Sequence, residues 1–252
     1  MTAQFYDQLA PHYHLLYGDW EQSIVKQGRA LTELLQELGV APGERILDAA
    51  SGIGTQTFGL IKGGYRVTAS DISPGAIDRL KVELSQRDLT AEAYVDDLRT
   101  FSRTPSESMS AVIACDNSIP HLLSDSEILD AFRSCYRCLR PGGVAVFSVR
   151  DYAAIKRVNP DVRPYGLRYE GGSRFLAVQV WEWDHDQYDL RVYLTSEASD
   201  GTCRTQVLRS RYYAVPIDRL LSLLAEAGFV DAERRDGVLF QPVLLGRRPR
   251  AV

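Results

Sequence analysis

Apolar residues in the first forty positions recur every three or four places, at Ile24, Leu31, Leu34, Leu35 and Leu38, and Gly39 closes the run. That spacing predicts an amphipathic helix with a glycine stop. From residue 45 the pattern becomes short apolar runs alternating with helical spacing. Residues 45–49, 66–70, 92–95, 111–115 and 144–149 read as five strands. Ser73-Pro74 offers an N-cap and a first-turn proline ahead of Ile77, Leu80 and Leu84. Ser124 and Glu127 form a capping box ahead of Ile128, Leu129, Phe132, Tyr136 and Leu139. Pro141-Gly142-Gly143 is expected to end that helix and turn the chain into the next strand. Strands alternating with helices imply an α/β fold, a mostly parallel sheet covered on both faces.

From about residue 174 the period is two. Residues 174–183, 188–197 and 204–213 are expected as an antiparallel meander outside the parallel core. A helix over 216–228 follows, then strands at 230–235 and 239–246, close enough to pair as a hairpin.

Composition narrows the function classes. A net charge of −4 offers no clustered basic field for nucleic acid, and Arg247, Arg248 and Arg250 read as a solvated tail. No apolar run approaches the ~20 residues of a membrane helix. The polar N-terminus does not read as a signal peptide. Cys135 and Cys138 fall on one helical face with no second pair or histidine to complete a metal set, so no metal is expected. With the four cysteines read as structural thiols, the expected compartment is the reducing cytoplasm.

The informative segment is Ile46-Leu47-Asp48-Ala49-Ala50-Ser51-Gly52-Ile53-Gly54. It puts an acid at the end of a buried strand, then small residues that let a ligand approach the backbone, then a helix N-terminus. A dinucleotide fingerprint would require glycine where Thr57 stands. Asp71, in Ser70-Asp71-Ile72, lies roughly 20 residues further on, where an acid can accept from both ribose hydroxyls of an adenosine. Asp97-Leu98 follows the third strand and suits an adenine amino group and ring.

In that order, these motifs and Leu139-Arg140-Pro141-Gly142-Gly143 resemble class I S-adenosylmethionine-dependent methyltransferases, from about residue 45 to 152 and again around 225–229. Asp116-Asn117-Ser118-Ile119-Pro120-His121-Leu122 and Val149-Arg150-Asp151-Tyr152 further resemble the glycine N-methyltransferase group. The resemblance implies a Rossmann-like seven-stranded sheet in one domain over 1–252. In it, 1–40 form an N-terminal cap, 41–152 and 214–252 the core, and 153–213 an antiparallel lid insertion. It implies that the loop of Asp48, Ala50, Ser51, Gly52 and Gly54 holds the methionine portion of S-adenosylmethionine. Asp71 would hold the ribose and Asp97 and Leu98 the adenine, with Ile72 and Cys115 also binding the cofactor. Trp20 would cover the ligand and Arg29 would pair with its carboxylate. Asn117 and Arg150 would contact a small amino-acid acceptor, with arginine gripping its carboxylate.

Methyl transfer from a sulfonium needs an oriented nucleophile more than a strong base. Tyr6, Tyr13 and Tyr17 are expected to line that space. His121 is either a structural histidine or, in an O-methyltransferase acting on a phenol or carboxylic acid, a basic group near the acceptor. A catalytically silent S-adenosylmethionine-binding protein is the third reading. The expected partner is a small-molecule methyl acceptor, without nucleic acid or membrane, and homo-oligomerisation stays open.

Overall fold

The computed structural model describes residues 2–250, and the outermost positions of the expected domain, Met1 and 251–252, lie outside the described residues. Five parallel strands, β1 (Arg45–Asp48), β2 (Arg66–Asp71), β3 (Glu92–Val95), β4 (Met109–Ala114) and β5 (Leu139–Ser148), form the expected core. They alternate with α3 (Thr55–Lys62), α4 (Pro74–Gln86) and α5 (Asp125–Cys138). The N-terminal α1 (Thr2–Leu9) and α2 (Trp20–Glu37) precede them. After them come β6 (Asp161–Glu170), β7 (Ser173–Asp184), β8 (Gln187–Glu197), β9 (Cys203–Tyr213), α6 (Ile217–Glu226), β10 (Val230–Arg235) and β11 (Val243–Arg247). The sheet order is β10-β11-β5-β4-β1-β2-β3, with the last hairpin antiparallel to β5.

Strand periodicity sorts the core. Leu47, Val112, Ala114, Ala145, Phe147 and Leu244 face α5 and α6, while Ile46, Ala111, Ile113, Val144, Val146, Val243 and Leu245 face α2 and α3. Alternate residues on opposite faces explain why these strands read as unbroken apolar runs. The two N-caps form as the sequence predicts: the Ser73 hydroxyl accepts from the Ala76 N–H, and that of Ser124 from the Glu127 N–H. Among the described residues no helix is long and apolar enough to cross a membrane.

Three local expectations change. Helix α5 ends at Cys138, and Leu139 through Gly143 belong to β5, where the pairing with β4 shifts register. Of the basic C-terminal run, Arg250 is exposed but Arg247 and Arg248 are not part of a solvated tail. Arg247 donates to the carbonyls of Gly142 and Leu38, and Arg248 to the carbonyl of Leu139 at 2.7 Å, fastening this segment to the start of β5. The meander gains a fourth strand, β6, in the sheet β6-β7-β8-β9. Pro164 and Gly166 sit at a register shift in β6 and break the period-two signal there.

Candidate active site

The carboxyl ends of β1 to β4 open on one cleft of about 1180 Å³, mouth included. That is room for a nucleoside-sized ligand and a second small molecule. Ala50, Ser51, Gly52, Asp71, Ile72, Asp97, Leu98 and Cys115 line it from the core. Tyr6, Tyr13 and Tyr17 line it from the N-terminal segment, and His121 from the segment after β4.

The loop after β1 is built for close approach. Gly52 has φ +52°, and a Cβ there would come 3.3 Å from Tyr13 Cε1. Its N–H donates to Asp71 Oδ2 at 2.9 Å, and the Ser73 N–H donates to Asp71 Oδ1 at 2.9 Å. Burial raises the Asp71 pKa against those two donors. Each carboxylate oxygen retains acceptor capacity beyond one N–H. The Ser51 hydroxyl is buried without a partner at the same wall. The cradle at Gly52, that orphaned hydroxyl and Asp71 together fit a ribose and an amino-acid tail.

Asp48 stands behind this loop rather than in the cleft. It is fully buried, Oδ2 accepts from the Thr57 hydroxyl at 2.6 Å, and Oδ1 has no partner. Burial pushes its pKa up to about 7. A raised carboxyl favours folding fully below its unfolded value near 4 and loses that contribution as pH rises to about 7. Asp48→Asn should therefore gain stability relative to the unliganded wild type between pH 5 and 8, read from urea midpoints. A constant difference across that range would mean Asp48 is already ionised at pH 5.

Gly54 is also behind the wall. It is the left-handed N-cap of α3, and a Cβ on it would meet Leu80 and Phe58 at 2.4 and 2.5 Å. Glycine is required there by helix entry and close contact rather than by a ligand. Asp97 reaches the cleft, but the Arg99 guanidinium grips it with Nη2 2.6 Å from Oδ2 and Nε 3.0 Å from Oδ1, and lowers its pKa. The expected free acceptor for adenine is thus half of an ion pair, and Arg99 also holds Glu127 at 2.6 Å. The neighbouring Asp96 is buried, accepting from the N–H groups of Asp97, Ser102 and Arg103.

Two N-terminal expectations are corrected. Arg29 is exposed and pairs with Glu33 on its own helix at 2.8 Å. The inward stripe of α2 runs through Trp20, Ile24, Gly28 and Leu31, which turns residue 29 to solvent. Trp20 is buried against Phe58, and its Nε1–H donates to Thr55 Oγ1 at 2.9 Å, so it supports a wall residue and does not line the cleft.

On the acceptor side, the Tyr6 hydroxyl lies 2.7 Å from His121 Nε2, and Ser210 Oγ lies 3.3 Å from Nδ1. Burial and the nearby Arg150 push the His121 pKa down to about 3, so the ring is neutral at pH 7. Asn117 is buried outside the cleft lining. Its amide donates to the Tyr152 hydroxyl, and its Oδ1 accepts the Arg150 N–H at 2.9 Å. Arg150 lies beside His121, also outside the lining, with its Nη1 3.5 Å from the Tyr188 hydroxyl and its guanidinium 5.3 Å from the Trp181 ring centre. Asp151, the carboxylate nearest in sequence, is taken by Arg234 at 2.8 Å.

The four-stranded sheet lies on this side of the molecule. Trp181, Tyr188 and Tyr212 stack along its inner face at 4.4 and 5.1 Å and join Phe5, Leu9 and Tyr152 in one cluster. Its Ser210 and Tyr188 reach His121 and Arg150.

Asp116 and Gln56, which also line the cleft, were not among the expected site residues. Tyr17 and Gln56 donate to Asp116 Oδ2 at 3.1 and 3.0 Å. The available signal was the Asp116-Asn117 pair itself, residue types that tolerate the left-handed region after a strand. Their φ values are +55° and +69°.

Residues 46–143 match the family model of a methyltransferase domain. The glycine/sarcosine N-methyltransferase of Aphanothece halophytica is 27% identical over 137 residues, 54% of this chain and 51% of that one. That of Halorhodospira halochloris is 28% identical over 152 residues, 57% of each chain. The match thus spans about half the length of these curated relatives. Among solved structures, Streptomyces venezuelae DesVI superposes with a TM-score of 0.80 at 18% identity, over 97% of this chain and 98% of that one. The S-adenosylmethionine-bound aminopentose methyltransferase CalS10 of Micromonospora echinaspora gives 0.76 at 16%, over 89% and 91%. Residues 46–143 thus carry a methyltransferase domain, and the sheet order is the fold of solved S-adenosylmethionine-dependent methyltransferases.

Proposed function

We propose that this chain transfers a methyl group from S-adenosylmethionine to the nitrogen of a small amine or amino acid that carries a carboxylate. The observation that carries the reading is Arg150, a partly buried guanidinium beside the cleft with no ion-pair partner among the described residues. A cation held among aromatic rings is costly to bury unless an anion meets it, and an amino-acid acceptor brings one. The N-methyltransferase names of the curated relatives and the aminopentose acceptor of CalS10 agree with an amine nucleophile.

Gly52, Ser51 and Asp71 would hold the cofactor, which supplies an electrophilic methyl group when bound. The residues of this chain orient the acceptor and exclude water: Tyr6, Tyr13 and Tyr17 close the N-terminal side, and the β6–β9 sheet forms a lid beyond His121. His121, with its pKa near 3, is too weak a base at neutral pH to deprotonate a phenol. That argues against the O-methyltransferase reading.

A methyl-transfer assay with glycine, sarcosine, ethylamine and catechol tests the proposal. Turnover of the carboxylate-bearing amines is expected, and turnover of catechol alone would overturn it. For the cofactor side, Asp71→Ala should weaken S-adenosylmethionine binding by ~1.5–3 kcal/mol in calorimetry. Unchanged affinity would remove Asp71 from the site.

A further inference from the structure

Asp116 is the terminus of a directional hydrogen-bond chain that no step so far uses. The indole N–H of Trp20 can only donate, so Thr55 Oγ1 accepts from it at 2.9 Å. The Thr55 hydroxyl proton then points to the Tyr17 hydroxyl at 3.2 Å, and the Tyr17 proton to Asp116 Oδ2 at 3.1 Å. The Gln56 amide, which also donates to Gln27 at 2.7 Å, gives the same oxygen a second donor at 3.0 Å. Two donors, the Tyr17 hydroxyl and the Gln56 amide, thus converge on one carboxylate oxygen. Among the described residues no hydrogen bond falls on Oδ1, and Asp116 is half-buried in the cleft lining.

The backbone holds the acid there against its own preference. Asp116 and Asn117 are consecutive non-glycine residues in the left-handed region, pinned by the Asp116 N–H to Ser148 Oγ at 2.8 Å and the Asn117 N–H to the Ser148 carbonyl at 2.9 Å. Strain of this kind persists where surrounding contacts over-determine it. The Asp116 carboxylate and the Arg150 guanidinium both act electrostatically on Tyr165 of β6. A zwitterion presents the matching pair of charges.

Resting on the amine reading above, we propose that Asp116 receives the acceptor's ammonium group on Oδ1 and so positions the acceptor nitrogen in the cleft.

Asp116→Asn is the test, because asparagine tolerates the same backbone and still accepts from Tyr17. Calorimetry with S-adenosylhomocysteine present would compare glycine, an ammonium at pH 7, with aminooxyacetate, which keeps the carboxylate but has a neutral nitrogen. The variant should bind glycine roughly 10- to 100-fold more weakly, as expected for a lost charge-assisted hydrogen bond. Aminooxyacetate and S-adenosylhomocysteine should change by less than about threefold on the same scale. Equal losses for both acceptor probes, no loss for either, or a parallel loss of S-adenosylhomocysteine would overturn the role while leaving the amine reading intact. If the wild type neither binds nor methylates glycine, sarcosine or ethylamine, the amine reading fails and this role with it.

Discussion

Arg150→Ala is expected to lose ~2–5 kcal/mol in acceptor kcat/KM while the affinity for S-adenosylhomocysteine stays within about twofold. The guanidinium makes one long contact, 3.5 Å to the Tyr188 hydroxyl, and otherwise lies over the Trp181 ring. Its backbone N–H, held by Asn117, survives truncation, so the loop after β5 keeps its main anchor. The substitution therefore isolates the charge. The competing account is that Arg150 works as a cation–π brace fixing the β6–β9 sheet to the core, an interaction of ~0.5–2 kcal/mol. Arg150→Lys separates the two. Lysine retains a cation near Trp181 but has no planar fork for a carboxylate, so stability should recover while turnover remains low. If thermal stability, cofactor affinity and turnover instead fall together in Arg150→Ala and recover together in Arg150→Lys, the residue is structural. Removing the cation should also let the His121 pKa rise, since Arg150 is the second cause, after burial, of its depression. Imidazole titration by NMR would show that rise.

What the sequence could convey follows from how local each signal is. The five core strands, the N-caps at Ser73 and Ser124 and the glycine loop after β1 are written in adjacent residues, and they form where the periodicity predicts. Asp71 was legible for the same reason, since its position at a strand end fixes which way it opens. Arg29 was not, because a helical residue one place off the buried stripe turns to solvent and no neighbour in sequence reveals the stripe's edge. Asp97 and Asp116 differ by their partners. Arg99 takes the first from two residues away, while Tyr17 and Gln56 reach the second from distant segments. Partnerships across |i−j| of 60 to 99 leave no pattern in one chain. The meander's fourth strand was hidden by Pro164 and Gly166, which interrupt alternation while the ladder to β7 continues past them.

The same distance problem hides a close backbone contact between α2 and α3, and it yields the largest stability effect expected here. Gly28 of α2 and Gly59 of α3 meet backbone to backbone. A Cβ on Gly28 would stand 2.5 Å from Gly59 Cα, and one on Gly59 would stand 2.4 Å from Gly28 Cα and 2.9 Å from the Ile24 carbonyl oxygen. Neither glycine has positive φ, so the requirement is space and not backbone conformation. Alanine would gain about 1 kcal/mol of helix propensity at either position. The overlap opposes that gain, because the atoms struck are main chain and cannot rotate aside, so the two helices must separate. Overpacking that shifts side chains and backbone costs ~1–3 kcal/mol, occasionally more. With main chain struck on both sides, Gly59→Ala belongs at the upper end and is expected to destabilise by a net of ~2 kcal/mol. For a chain of this length that lowers Tm by roughly 4–8 °C. Function should suffer as well, since α3 carries Thr55 and Gln56, which hold Tyr17 and Asp116. Gly28→Ala alone should behave similarly, and the double variant should cost less than the sum, because the first substitution already opens the gap the second needs. Glu33→Ala on the exposed face of α2 supplies the control, expected within ~0.5 kcal/mol of wild type. A Gly59→Ala protein that melts within about 2 °C of wild type would mean the helices separate at little cost. Strict additivity in the double variant would mean the two glycines do not share one contact.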